Sequence, residues 1–165
     1  MADGRLLSVY LNDHLAGATL GVELTRRSLR SNRGTELGSF LEELQAEILA
    51  DREALAAVME GLGVRKGRVK PALAVVAERL GRLKLNGQVT GYSPLSRLLE
   101  LEGLAMAIQG KLSLWQNLRA TGVGERVPDV DLEGLAARAE SQLRRLEDHR
   151  AAAARVAFAG SNTRP

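Results

Sequence analysis

The chain contains no cysteine, which excludes disulfides, thiolate metal sites and cysteine catalysis, and makes a reducing cytoplasm the default expectation. Aromatic residues make up only 3 % of it. A core must therefore be built from Leu, Ala and Val, a mix that favours helices because the usual strand formers are scarce. No apolar run approaches the length that spans a bilayer, so a membrane is not an expected partner. The opening MADGRLLSVYLNDHLAG has no uninterrupted apolar stretch of signal-peptide type and reads directly into a helix. Charge excess is lacking too. The formal balance of +3 is too small to indicate a nucleic-acid binder unless the charge is clustered. No nucleophile-elbow sequence occurs, and Gly61-Leu62-Gly63 and Gly122-Val123-Gly124 read as turns without the strand context of a phosphate fingerprint.

What the chain does have is helical periodicity. Its 165 residues, 45 % of them hydrophobic, suffice for one domain with a substantial core. Leu7, Leu11, Leu15, Ala18, Val22, Thr25 and Leu29 define a first helix over about 4–30. On it, Gly17 and Gly21 share a face, a pattern that predicts close approach of a neighbouring helix despite their poor helix propensity. A second helix spans about 35–62 on Leu37, Leu41, Leu44, Ile48, Leu55, Val58 and Leu62, with Thr35 as N-cap and Gly61 and Gly63 as the stop. Ser93-Pro94 starts a third, over about 94–120, with Leu98, Leu101, Ala105, Ile108, Leu112 and Trp115 as its stripe. Asp131 caps a fourth that runs to about 158 on Leu132, Leu135, Ala139, Leu143, Leu146, Ala153 and Val156. Residues 1–159 read as a single domain and 160–165 as a flexible tail.

Short links join the first two helices (Ser31-Asn32-Arg33-Gly34) and the last two (121–129), which suits antiparallel neighbours. Between helices two and three lie about 30 residues, enough for a crossover back along the bundle. Within them, Leu73, Val76, Leu80 and Leu83 are spaced for a short amphipathic helix. The expectation is an all-α fold: two hairpins joined by one long crossover that carries a short extra helix. That is the ferritin-like arrangement, with helices two and three parallel.

With that plan in view, the stretch from Glu36 to Glu47, followed by Arg52-Glu53-Ala54-Leu55, resembles the second helix of ferritin-like proteins, most closely those of the bacterial stress-associated branch. Tyr10-Leu11-Asn12-Asp13-His14-Leu15-Ala16-Gly17 is similar to first helices of the same superfamily. The chain also looks like a Leu/Ala/Arg-rich bacterial family of about this length. The resemblance implies a bundle fold and, in iron-binding members, one Glu on each of two helices plus a Glu-x-x-His pair on each of the other two. This chain departs from that set. Leu11 and Leu146 stand three residues before its two histidines, and Gln109 and Gln142 occupy mid-bundle positions of the last helices. Amides are far poorer ligands than carboxylates for iron or manganese.

Asp51 interrupts the apolar seam of helix two. His14 lies at a matching height on helix one, each about 18 residues from the hairpin turn and roughly 27 Å from it. With Glu47 one turn from Asp51, the three could hold iron or manganese. Alternatively, Asp51 pairs with His14 or with Arg26 or Arg52 and sets helix register. A desolvated His14–Asp51 pair would hold the imidazole protonated. Glu102 and His149 form a second pair of matched height, and Glu140 a boundary carboxylate expected to pair with Arg138 or Arg144. Arg65, Lys66, Arg68, Lys70, Arg79, Arg82 and Lys84 face only Glu78 in the crossover. They suit phosphate, nucleic acid or an acidic surface, or else a solvated face. The lack of interleaved aromatics argues against single-strand recognition.

The leading expectation is a non-catalytic ferritin-like bundle without a cofactor, a scaffold or interaction module that self-associates through helical faces. The alternative is a noncanonical iron or manganese protein built around His14, Glu47 and Asp51. Anion or nucleic-acid binding through the crossover is the third.

Overall fold

The computed structural model describes residues 4–67 and 92–159. Helix α1 spans Gly4–Ser31, α2 Glu36–Gly61, α3 Pro94–Ala120 and α4 Leu132–Phe158, with a 3-10 turn at Val123–Arg126 before α4. Strands are absent among the described residues. The helix limits fall within a residue or two of those expected, because the capping chemistry is local. Thr35 Oγ1 accepts from the Gly38 amide at 3.1 Å, Ser93 Oγ from Ser96 at 3.0 Å and Asp131 Oδ1 from Gly134 at 2.8 Å. Each satisfies an amide that the helix itself leaves without a partner. The amphipathic crossover stretch at Leu73, Val76, Leu80 and Leu83, together with Arg68, Lys70, Arg79, Arg82 and Lys84, lies outside the described residues.

Side-chain pairs set the helix directions. Tyr10 meets Asn117 and Arg27 meets Glu100, so α1 and α3 run antiparallel. Glu47 meets Arg145 and Asp51 meets Arg138, so α2 and α4 do too. Since α1 and α2 form a tight hairpin, α2 and α3 point the same way. The core runs through the middle of all four helices, with Leu11, Leu41, Leu44, Val58, Met59, Leu101, Leu104, Trp115 and Ala139 wholly buried. Val156, expected on the apolar stripe of α4, is exposed instead. At 100° per residue it stands about 80° round the helix from Leu146, off the buried face.

Glycines shape three contacts. At the α1–α2 corner, a Cβ on Gly38 would collide with the backbone carbonyl oxygen of Asn32. At Gly61 it would come within 2.7 Å of Val127, which packs the α3–α4 loop onto the end of α2. At Gly103 it would lie 3.1 Å from Leu24, where α1 and α3 approach closely. Gly17 differs. A Cβ there meets nothing within 4 Å, so this glycine opens space rather than admitting a neighbouring helix of the bundle.

Candidate functional site

The polar break at Asp51 becomes the centre of the molecule. Asp51 is 2 % exposed, and a bare carboxylate at that depth would be very costly. Cations from two other helices surround it. Lys111 of α3 donates to Oδ2, and Arg138 of α4 donates through Nε to Oδ1 at 2.8 Å. Gln142, fully buried on α4, ties the group together. Its amide nitrogen donates to Asp51 Oδ2 at 3.2 Å and to Glu47 Oε2 at 2.9 Å, and its carbonyl accepts from Lys111. One turn along, Arg145 Nη2 donates to both oxygens of Glu47 at 2.7 and 2.6 Å. Glu43, Glu47 and Asp51 recur every four residues on α2, so they form a ladder facing the Arg138, Gln142 and Arg145 face of α4. Burial holds the Lys111 ammonium below its usual range, against the opposing pull of Asp51.

Beside this network a cleft of about 410 Å³ opens between α1 and α3, with α2 as its floor. His14, Gly17 and Gly21 line one wall, Ile48, Asp51 and Leu55 the floor, and Gly110, Lys111 and Trp115 the other wall. Asn117 of α3 donates to Oη of Tyr10, one of the lining residues, at 3.0 Å. The Tyr10 ring meets His14 edge-on at 4.5 Å.

The structure thus brings His14 and Asp51 to one cleft, but no hydrogen bond or ion pair joins them. The expectation of a protonated histidine is corrected. Desolvation lowers the His14 pKa, and the carboxylate that opposes this is its neighbour Asp13. Asp51 is paired with Lys111 and Arg138 instead. Those two also replace the expected partners, for Arg26 bonds Glu23 instead. Among the described residues, no group of three or more His, Asp or Glu side chains is arranged to hold a metal ion.

The members of the second pair each have another neighbour. Glu102 lies 3.9 Å from Arg150, while His149 stacks on Phe40 with ring centroids 4.5 Å apart. Glu140 is exposed, and Arg138 is committed to Asp51. Arg65 and Lys66 are exposed on the segment leaving α2, whose backbone Asn12 clamps. The Asn12 side chain donates to the Arg65 carbonyl at 3.1 Å and accepts from the Gly67 amide.

No protein family, curated protein or solved structure matches the chain. Its chemistry has to be read from its own side chains.

Sequence reasoning missed Lys111 and Arg145, because basic residues flanking a stripe look solvated, and it paired Arg138 with Glu140 where the structure pairs it with Asp51. One signal was available: Arg138, Gln142 and Arg145 repeat at helical spacing, as do Glu43, Glu47 and Asp51. It also missed a second buried polar cluster, at the opposite end of α1 from the Asn12 clamp. There Asn32 donates to Tyr92 Oη at 3.0 Å, Tyr92 donates to Glu100 Oε2 at 2.9 Å, and Arg27 Nε pairs with Glu100 Oε1 at 2.8 Å. Burial raises the Glu100 pKa despite these partners.

Proposed function

We propose that the chain is a non-catalytic ferritin-like bundle, a scaffold or interaction module that self-associates through its helical faces. Two antiparallel hairpins with parallel second and third helices support the ferritin-like reading, as does the resemblance of the Glu36–Glu47 stretch to second helices of that superfamily. One observation carries the non-catalytic part. The Lys111 ammonium contacts both Asp51 and Gln142 at mid-bundle, where an iron-binding relative would gather carboxylates around metal. The chain supplies its own cation, and the acids beside it are engaged by arginines. Exposed Leu6 and Val9 on α1 and Met106 on α3 support self-association, since large apolar side chains in water favour burial.

Metal analysis of the purified full chain, before and after incubation with ferrous iron or manganese, tests this reading. The expected result is loading far below one ion per chain. Near-stoichiometric loading that a His14→Ala/Asp51→Ala variant loses would overturn it in favour of a metal protein. Sedimentation over a range of concentrations checks association; a dimer is expected, and a strict monomer removes that part of the proposal.

A further inference from the structure

We infer that the cleft between α1 and α3 is a binding site for a small monocarboxylate with an apolar body. The inference goes beyond the scaffold reading and stands whether or not the bundle is ferritin-like.

Space is the first observation. The cleft, open to solvent, holds about 410 Å³, within the range of small-molecule sites. Gly17 and Gly110 lie inside helices, where each glycine costs stability, and a Cβ on either meets nothing within 4 Å. Neither serves packing within the bundle; what they create is the opening. At Gly103, by contrast, Leu24 fills the space.

The lining says what the opening takes. Ile48, Leu55, Ile108 and Leu114 give it an apolar interior. Trp115 stands in its wall, wholly buried behind that lining. Lys111 carries three N–H donors and uses two, on Asp51 and Gln142. Lys111, whose side chain is partly exposed on the lining, thus has a donor to spare and no acceptor to match. Asp51 offers no opening for a cation, because Lys111 and Gln142 occupy Oδ2 and Arg138 occupies Oδ1. A carboxylate entering the cleft can accept that third N–H, and its charge complements an acid already flanked by two bases.

Trp115 is the chain's only tryptophan, so its fluorescence reports on the cleft directly. Decanoate and decanol, titrated separately into the full-length protein, share an apolar tail and differ in the head group. The expected result is a saturable change with decanoate and binding at least roughly tenfold weaker for decanol, because a charge-assisted hydrogen bond is lost. Gly17→Leu and Gly110→Leu put side chains into the open space while raising helix propensity. Circular dichroism should show each still folded, and decanoate affinity should drop at least roughly tenfold as the space fills. The proposal is overturned if decanoate gives no saturable change, if decanol binds as tightly, or if both folded leucine variants bind decanoate undiminished.

Discussion

His14 and Glu100 are half-buried and fully buried titratable side chains, and their shifts act on stability in opposite directions. The His14 pKa is lowered by desolvation from its ordinary 6.5. As pH falls through that value the unfolded chain takes up a proton that the folded one resists. This group therefore removes stability on acidification, down to its depressed folded value. Glu100 is raised by burial above its ordinary 4.5. Its protonated form is favoured in the fold, so its contribution is present below pH 4.5 and is lost as pH rises through the raised value. The His14 window lies below 6.5 and the Glu100 window above 4.5, and the wild-type profile sums them. Thermal midpoints measured from acid to neutral pH should separate the two: His14→Gln flattens the loss on acidification, whereas Glu100→Gln gains on the wild type as pH rises. A His14→Gln profile parallel to wild type would refute the first assignment. An unchanging Glu100→Gln difference would refute the second.

At the scale of elements, the helix limits follow from caps and turns that act within four residues. Thr35, Ser93 and Asp131 were readable as caps because each needs only its own helix to function. Gly38 was not readable, since the atom that forbids its side chain belongs to Asn32 across the corner. Gly38→Ala forces backbone to move at that corner and should cost about 2 kcal/mol or more. Urea unfolding checks the value. A cost below about 0.5 kcal/mol, typical of a neutral surface change, would mean the corner relaxes freely. Gly17 teaches the converse. Its sequence pattern matched close helix approach, but whether a glycine admits a neighbour or leaves a cleft depends on where the facing helix runs.

Across the whole molecule, the Asp51 network is the polar contact that binds three helices together. Lys111→Met leaves Asp51 buried with fewer cations and Gln142 with an unmet carbonyl, and should destabilise by roughly 3 kcal/mol. Removing the whole group, as Asp51→Leu with Lys111→Met and Arg138→Met, should recover most of that loss, because matched apolar side chains need no desolvation of charge. Chemical denaturation of both variants tests the pair of statements. If the triple variant is no more stable than Lys111→Met alone, the network contributes net stability and does more than set register. Loss of a single cooperative transition in the triple variant would instead mark it as the device that specifies one packing.

The sequence by itself determined the helix count among the described residues, their ends and, Val156 apart, the course of their apolar stripes, because periodicity and capping are written in neighbours three or four residues apart. It also singled out Asp51 as a polar break in an apolar seam. Only the tertiary structure decided what that break meets. Lys111 lies 60 residues away and Arg138 lies 87 away, distances over which no local pattern reports. The same holds for the cleft: its glycines were visible, but the space beside them exists only once α1 and α3 are set against α2.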